Sequence, residues 1–175
     1  MIKNKFGFLA WIVVIGIVVA VTYKQSATPY QQQDIKPFLQ EHIKLTADSL
    51  PHVAFTYDGE IVTTRRPYDF VEFWIRKFGH VLEYAIITTC LLRLLSTLAV
   101  ARKWVYGISF LVSLSYAALD EWHQTFVPGR TGHAIDVFTF DLFGILLALL
   151  FAALFTGFRP PLGRGERTAR KMTFR

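Results

Sequence analysis

The sequence has little cysteine, no internal repeat and no low-complexity tract. Its one cysteine, Cys90, lies inside an apolar segment and has no second thiol with which to form an internal disulfide. A disulfide-stapled fold is therefore excluded, and we expect Cys90 to be a small core or lipid-facing residue, as free cysteines usually are. The 175 residues suffice for one domain.

Charged residues are also scarce. They make up 18% of the chain against 53% hydrophobic residues, a balance that is unusual for a soluble domain of this size. A bilayer-spanning helix needs about 20 mostly apolar residues. Four segments approach that length, at residues 6–22, 78–98, 104–121 and 134–158. The sequence therefore predicts an all-α integral membrane protein, with four transmembrane helices in a single membrane domain over residues 1–175.

No clear A-x-A cleavage site follows the first of these apolar segments. Its 17 residues also exceed the roughly 7–15 residues of a typical signal-peptide core. We therefore predict that this segment is an uncleaved membrane anchor.

Acidic residues are nearly absent from three regions that a four-span arrangement places on one side of the membrane. These regions are the N-terminus, the end of the second segment from Arg93 with the connection that follows it, and the tail 159–175. Together they hold eleven basic residues and one acid, Glu166. Basic residues in short loops face the cytoplasm, so we predict that both termini are cytoplasmic and that the tail touches anionic lipid. The net charge of +6 does not indicate nucleic-acid binding, for which the sequence has no motif.

The loop 23–77 is predicted to face outward, and it is too long for a bare connection. Apolar residues within 30–50 recur at helical spacing, which predicts an amphipathic helix lying on the membrane surface. Asp58-Gly59 stands between β-branched and aromatic runs, a pattern typical of a short β-hairpin. The large extracytoplasmic loop is thus expected to contain one amphipathic helix and one hairpin.

Ionisable groups are concentrated in the stretch LDEWHQTFVPGRTGHAIDVFTFD, residues 119–141, although both of its flanks are strongly apolar. On the second span, His80 and Glu83 are three residues apart and share a helical face at the same predicted depth. Charged groups inside a membrane are costly unless they pair or face water. The sequence therefore predicts an outward-facing polar pocket. Its candidate members are His80, Glu83, Asp120, His123, Arg130 and Asp136.

Two catalytic chemistries are open to such a pocket. A divalent metal such as zinc accepts nitrogen and oxygen ligands, although the spacing does not match the H-E-x-x-H of zinc proteases. Acid–base catalysis would use two carboxyls in unlike surroundings, here Asp136 and Asp141. No complete catalytic motif is visible, so enzymatic activity stays open and no cofactor is required. The candidate metal ligands are His80, Glu83, Asp120 and His123.

Arg130 offers a third chemistry, the binding of an anion. It lies in the turn VPGRTG between Gly129 and Gly132, so that backbone N–H groups can turn towards a ligand. A helix is predicted to begin just beyond, and helix N-termini attract anions. A planar guanidinium at this position suits a phosphate or a carboxylate.

A purely structural alternative is a polar clasp that fixes the register of the helices. In this arrangement Arg130 would bridge Asp120 and Asp136, and His80 would pair with Glu83. The function would then lie elsewhere, in the outer loop.

Three blocks of sequence resemble the VanZ-like family of membrane proteins. KFGHVLEYAI resembles the K-x-x-H-x-x-E-Y entry to the second helix of that family, and DEWHQTFVPGRTGHAIDVFTFDLFGILL resembles its signature of D-E-x-H-Q, P-G-R and a D-V-x-x-D-x-x-G helix. FTYDGEIVT and RRPYDFVEFWIRK resemble the outer segment of its longer members. The resemblance covers residues 53–157, and His133 departs from the small or polar residue expected there. The motif residues are Lys77, His80, Glu83, Tyr84, Asp120, Glu121, His123, Gln124, Pro128, Gly129, Arg130, Asp136, Asp141 and Gly144.

The resemblance implies a small multi-pass protein of the bacterial cell membrane. The founding member of the family is associated with low-level resistance to teicoplanin, a lipoglycopeptide that binds cell-wall precursors at the outer membrane face. The implied partners are a membrane lipid, the lipoglycopeptide or a precursor, bound at a polar pocket. An alternative function is that of a membrane-embedded, metal-assisted hydrolase or transferase acting on a lipid head group or a precursor. The resemblance adds Tyr84, Glu121, Gln124 and Asp141 to the pocket.

Overall fold

The computed structural model describes residues 2–155. The basic tail 159–175 and the last residues of the fourth apolar segment therefore lie outside the described residues. The described part is mostly helical and also holds a two-stranded sheet and one 3₁₀ turn, Ala47–Ser49. The helices are α1 Lys5–Ser26, α2 Tyr30–Gln33, α3 Lys36–His42, α4 Pro67–Ser96, α5 Arg102–Gln124 and α6 Ala134–Phe155.

Three of these helices, α1, α4 and α6, are long and apolar enough to cross a membrane. Large apolar side chains of α1 point away from the protein, as Phe6 and Ile17 do with exposures of 84% and 59%. The remaining predicted span, residues 104–121, is also a helix, α5, but its composition does not reach the same level of hydropathy. The structure thus supports a multi-pass membrane protein with three candidate spans among residues 2–155.

Helix α4 is the centre of the bundle, where it contacts α1, α5 and α6. The main core cluster forms around Tyr84 and Ile87 of α4, which pack with Ala117 of α5 and with Val137 and Ile145 of α6. These side chains are buried because each lies on the face of its helix that meets a neighbour.

Small and polar residues tighten the contact between α4 and α5. Thr88 donates a hydrogen bond to Ser113 at 2.9 Å, and both side chains are completely buried. Interhelical hydrogen bonds of this kind are common between helices in membranes. The buried hydroxyls also explain part of the low hydropathy of α5.

Glycines in apolar helices predict close helix–helix approach, and Gly79, Gly107 and Gly144 are such positions. The structure confirms this for Gly144, where an added Cβ would lie 2.2 Å from the carbonyl oxygen of Val81. The prediction is wrong for Gly79 and Gly107, since a Cβ at either position meets nothing within 4 Å. Only Gly144 is therefore required for the contact between α4 and α6.

We expect Gly144→Ala to destabilise the protein by about 1–3 kcal/mol, the usual effect of an overpacked contact, because the backbone of α4 must move away. Gly107→Ala is the matched control and should be neutral or slightly stabilising, since alanine is favoured over glycine in helices by roughly 0.5–1 kcal/mol. Thermal unfolding of both purified variants in detergent measures the difference. Equal midpoints for the two variants would show that the α4–α6 contact tolerates a side chain.

The predicted hairpin is confirmed. Strands β1 Ala54–Tyr57 and β2 Glu60–Thr63 pair antiparallel, with Tyr57 opposite Glu60. The two turn residues, Asp58 and Gly59, have φ angles of +48° and +83°. Positive φ at both positions is the geometry of a type I′ turn, whose twist matches that of the flanking strands.

The single amphipathic helix predicted within 30–50 is wrong in extent. The segment instead forms the short helices α2 and α3 and the 3₁₀ turn. Pro37 explains the first break, because it lacks an N–H group and its ring clashes with the carbonyl four residues earlier. Proline is therefore tolerated in the first turn of α3 but not inside a longer helix. Only Leu39 of α3 is buried.

The two ends of the bundle differ in character. The N-terminal segment lies against the α4–α5 connection, since the Lys3 N–H donates to the carbonyl of Thr97 at 2.8 Å and Ile2 bridges to Leu98. The hairpin and the turn 129–133 lie at the opposite end. The basic residues near the N-terminus and those of the α4–α5 connection are thus on one side of the protein.

Candidate functional site

A cleft of about 530 Å³ lies at the hairpin end of the bundle. The C-terminal end of α1, the first half of α4, the end of α5, the turn 129–133 and the hairpin all contribute to its walls. The segments that the sequence predicted to converge at one depth therefore do converge. Six predicted site residues line the cleft, namely His80, Glu83, Asp120, Gln124, Arg130 and Asp136. Four others do not line it, namely Tyr84, Glu121, His123 and Asp141.

A buried ion pair joins α4 to the start of α6. The ammonium of Lys77 lies 2.7 and 2.6 Å from the two carboxylate oxygens of Asp136, and both residues are buried. The same ammonium lies over the rings of Tyr57 and Phe73, at 4.7 and 5.2 Å from their centroids. Such contacts stabilise a cation that has left water. The charge of Asp136 is therefore balanced by Lys77 and not by Arg130.

Tyr57 ties the hairpin to this ion pair. Its hydroxyl donates a hydrogen bond to Asp136, and it also contacts the hydroxyl of Thr139 at 3.3 Å. Burial raises the pKa of Tyr57, and the neighbouring carboxylate of Asp136 raises it further. The phenol therefore stays protonated and remains a hydrogen-bond donor at neutral pH.

Helix α6 begins with a π-helical turn that brings two carboxylates to the side facing α4. Residues Val137–Asp141 form a π-helical turn, in which residues five apart come to the same side of the helix. Asp136 and Asp141 are five apart, and they meet Lys77 and His80, which are three apart on α4. Single π turns inside α-helices occur often at functional sites.

His80 lies between two buried carboxylates. Its Nδ1 atom is 3.0 Å from Oδ1 of Asp141 and 3.6 Å from Oε1 of Glu121. The other oxygen of Glu121 accepts a hydrogen bond of 2.8 Å from the backbone N–H of His133. The predicted pair of His80 with Glu83 is therefore wrong, since the carboxylates in contact with His80 come from α5 and α6.

Several polar atoms around His80 are buried without a hydrogen-bond partner. They belong to three carboxylates and one phenol, namely Oε1 of Glu83, Oε1 of Glu121, Oδ2 of Asp141 and the hydroxyl of Tyr84. Buried polar groups in folded proteins are nearly always hydrogen-bonded, so orphan atoms of this kind call for an explanation. Here they gather in one place, next to the cleft.

Arg130 binds only neutral groups. Its guanidinium donates to the carbonyl of Gln25 at 2.8 Å, to Oε1 of Gln33 at 3.0 Å and to Oε1 of Gln124 at 2.8 Å. Within residues 2–155 no carboxylate lies within ion-pairing distance of it. Burial lowers the pKa of Arg130, and the positive charge of Arg76 lowers it further. The cleft thus contains a half-buried guanidinium whose charge is not neutralised by an adjacent acid.

Arg76 is a second guanidinium in the wall of the cleft. It forms an ion pair with Glu72 at 3.1 Å, lies over the ring of Tyr30 at 4.7 Å from the centroid, and donates to the carbonyl of Gln33 at 3.0 Å. Arg76 and Arg130 share one hydrogen-bond partner, Gln33, so the two guanidinium groups lie close together. The two guanidinium groups therefore form the cationic part of the cleft.

The predicted metal set of His80, Glu83, Asp120 and His123 is not brought together. His123 contacts α1 instead, where its Nδ1 lies 3.1 Å from the hydroxyl of Ser26 and its ring stacks on Tyr23. Asp120 accepts a hydrogen bond of 2.8 Å from Gln124. The predicted clasp also has the wrong partners, because Arg130 bridges neither Asp120 nor Asp136.

Three residues that line the cleft are absent from the predicted pocket, namely Tyr57, Arg76 and Lys77. Lys77 and Arg76 lie three and four residues before His80, so helical spacing placed them on the same face of α4. Tyr57 carried no such signal, since only the folded hairpin brings it to Asp136. His133, whose role was open, hydrogen-bonds through its ring to Asp58 of the hairpin turn and to Thr131 at 2.7 Å.

Comparison with known proteins identifies one family. A family model described as VanZ/LLP1 matches residues 8–156 of the chain. No curated protein and no solved structure matches. The match confirms the resemblance drawn from residues 53–157 and extends it through most of α1.

Proposed function

The chain belongs to the VanZ/LLP1 family, and from this membership and the geometry of the cleft we propose that it binds the anionic group of a membrane lipid or cell-wall precursor. The observation that carries the proposal is the guanidinium of Arg130, which faces the cleft with neutral partners only. A half-buried guanidinium without an acid is costly in isolation, and a phosphate or carboxylate would neutralise it with bidentate hydrogen bonds.

The size of the cleft and its surroundings support a head group as the ligand. A volume of about 530 Å³ lies within the usual range for sites that hold small organic groups, roughly 300–1,000 Å³. The amide side chains of Gln33 and Gln124, already bound to Arg130, could donate to the remaining oxygens of a phosphate. Exposed apolar helices beside the cleft would hold the lipid tail.

We further propose that α5 is a fourth membrane span. Its 23 residues extend about 34 Å at 1.5 Å per residue, enough to cross the hydrocarbon core. Its exposed face carries large apolar side chains, such as Trp104, Leu111 and Leu119. Several of its polar residues are buried against the bundle, namely Ser109, Ser113, Asp120, Glu121 and Gln124. These residues lower the mean hydropathy of α5 without facing lipid.

Four spans give the chain a definite orientation under the positive-inside rule. Both termini and the α4–α5 connection are cytoplasmic in this arrangement, and the cleft opens at the outer face of a bacterial cell membrane. An outward cleft would meet lipid-linked cell-wall precursors and the lipoglycopeptides that bind them. We therefore propose that occupancy of the cleft lowers susceptibility to teicoplanin.

We expect Arg130→Gln to weaken the binding of anionic lipid by about 10–100-fold, because hydrogen bonds to a charged group contribute about 1.5–3 kcal/mol each. Arg130→Lys should retain part of the affinity, since it keeps the charge and loses the planar fork. Native mass spectrometry of the purified protein, titrated with phosphatidylglycerol, phosphatidylcholine or a polyprenyl-diphosphate-linked precursor, measures these affinities. Phosphatidylglycerol and the precursor represent the two possible sources of the anion, and phosphatidylcholine is the zwitterionic control.

Arg65→Gln is the matched control variant. Arg65 is an exposed arginine next to the hairpin, and it does not line the cleft. Equal losses of affinity in Arg65→Gln and Arg130→Gln would indicate attraction to the surface in general and would contradict the proposal. A lower yield of folded Arg130→Gln, with unchanged lipid affinity in the folded fraction, would instead indicate a structural role for Arg130, which joins α1, α2 and α5.

A second candidate function is that of a membrane-embedded hydrolase or transferase acting on the same class of ligand. It is favoured by His80 and the buried carboxylate oxygens near it, because His80 and one of these carboxylates, Glu83, line the cleft. Acid–base chemistry requires carboxyls of this kind within reach of the bound substrate. Turnover of radiolabelled phosphatidylglycerol or precursor by the purified protein would distinguish an enzyme from a binding protein.

A further inference from the structure

We propose that His80, Glu121 and Asp141 bind a divalent transition-metal ion of the zinc type. One donor atom from each residue lies within 4.8 Å of the other two. The three residues come from the middle of α4, the last turn of α5 and the first turns of α6, so the ion would join these three helices. An imidazole nitrogen and carboxylate oxygens, without a thiolate, form a ligand set that zinc accepts and that manganese also tolerates.

The spacing of the donor atoms suits an ion of this size. With metal–ligand distances of about 2.0–2.2 Å, the ligands of a tetrahedral zinc site lie roughly 3.3–3.5 Å from one another. Nδ1 of His80 is 3.0 Å from Oδ1 of Asp141 and 3.6 Å from Oε1 of Glu121. Small side-chain rotations would therefore bring all three atoms to one centre.

The orphan oxygens are an independent observation that points to a cation. Asp141 is fully buried and Glu121 is 4% exposed, yet Oδ2 of Asp141 and Oε1 of Glu121 have no hydrogen-bond partner. The nearest buried ammonium, that of Lys77, is already bound to Asp136. Glu121 and Asp141 therefore share one imidazole, that of His80, which can carry at most one positive charge. Two buried carboxylates with so little counter-charge are unfavourable, and a divalent ion supplies the missing charge.

Residues outside the ligand set hold Glu121 in the required orientation. Its Oε2 accepts the backbone N–H of His133 at 2.8 Å, which directs Oε1 towards His80. Gly132 permits this approach, because a Cβ there would lie 2.0 Å from the carbonyl oxygen of Glu121. Outer partners of this type are typical of metal sites. Oε1 of Glu83, one helical turn from His80, is a further buried oxygen without a hydrogen-bond partner, but it does not belong to the group of three donor atoms.

The ion would be accessible from the cleft, because His80 and Glu83 line it. A metal at this position would be adjacent to the anion that Arg130 is proposed to bind. The metal proposal does not depend on that ligand, since it rests on the protein's own side chains.

The metal content of the full-length protein tests the proposal. Protein purified in detergent is stripped with a chelator, incubated with zinc chloride, freed of excess metal and measured by inductively coupled plasma mass spectrometry. We expect about one zinc ion per chain in the wild type. Glu121→Gln and Asp141→Asn should each reduce the affinity for zinc by more than about tenfold. In other metal sites, the loss of a residue that only supports a ligand already reduces metal affinity by about this factor.

Glu72→Gln is the control, because Glu72 is a buried carboxylate of α4 whose partners are Arg76 and Tyr30. It should keep the full zinc content. Zinc bound equally by the wild type, Glu121→Gln and Asp141→Asn would place the metal on surface histidines and overturn the proposal, as would a wild type that binds neither zinc nor manganese.

X-ray absorption of the zinc-loaded wild type gives a second readout that does not need a variant to fold. We expect a first shell of nitrogen and oxygen atoms with a single imidazole. Two or more imidazoles, or none, would contradict the assignment to His80, Glu121 and Asp141. Both measurements are made without lipid ligand, so their failure is distinguishable from failure of the anion-binding proposal.

Discussion

Lys77→Met is expected to destabilise the folded protein by about 3–5 kcal/mol, the range measured when one partner of a buried ion pair is removed. The substitution keeps much of the apolar volume of the side chain but leaves the carboxylate of Asp136 buried without a counter-charge. Lower accumulation in membranes and a lower unfolding midpoint in detergent, measured by fluorescence-detected gel filtration after heating, are the expected readouts.

Two further variants separate the charge effect from a loss of packing. Lys77→Met combined with Asp136→Asn removes both charges and keeps a hydrogen-bond acceptor for Tyr57, so it should recover most of the lost stability. Lys36→Met removes a more exposed lysine, 25% exposed, which lies 3.2 Å from Asp69 and 3.7 Å from both Asp34 and Glu72. Because water screens its charge and Glu72 keeps Arg76 as a partner, this variant should lose less stability than Lys77→Met. If the double variant were as unstable as Lys77→Met, packing around the ammonium, and not its charge, would determine stability.

We expect expression of the wild type in a teicoplanin-sensitive Gram-positive host to raise the inhibitory concentration of teicoplanin and to leave that of vancomycin unchanged. Arg130→Gln should lose all of this protection at equal membrane abundance, because the proposed anion contact depends on its guanidinium. Arg65→Gln, which changes an exposed arginine outside the cleft, should protect like the wild type. Quantitative blots of membrane fractions provide the check on abundance.

The alternatives give different patterns in the same assay. No protection by the wild type would show that the resistance role does not apply to this chain, and the lipid titrations would then decide whether the cleft still binds anions. Protection that survives in Arg130→Gln would move the functional site away from the cleft. Protection against both antibiotics would indicate a general effect on the envelope.

Much of the fold could be predicted from local patterns. The apolar segments became helices, and Asp58-Gly59 became the type I′ turn of a hairpin, because each signal depends on neighbouring residues alone. The amphipathic helix within 30–50 was wrong because one residue, Pro37, overrode an otherwise helical pattern. The composition of α5 could not be interpreted locally, since its polar side chains are compatible with membrane only if they face the bundle.

The candidate site was predicted as a region but not as a set of pairs. His80 and Asp136 both line the cleft, and their partners are Asp141 and Lys77 instead of the Glu83 and Arg130 expected from the sequence. Helical spacing gives the face on which a residue lies, but it does not give the rotation of one helix against another. That rotation sets which carboxylates of α5 and α6 reach His80, here Glu121 and Asp141.

By itself, the sequence determined the family, the apolar helices and the presence of a polar region at one end of them. These follow from composition, periodicity and motif order, which are properties of the chain before it folds. The tertiary structure alone decided that Lys77 neutralises Asp136, that Arg130 has no acid partner among residues 2–155, and that His80 lies between Glu121 and Asp141. The reason is that these contacts join atoms from different helices, and their distances depend on the packing at Gly144 and on the π-helical turn of α6.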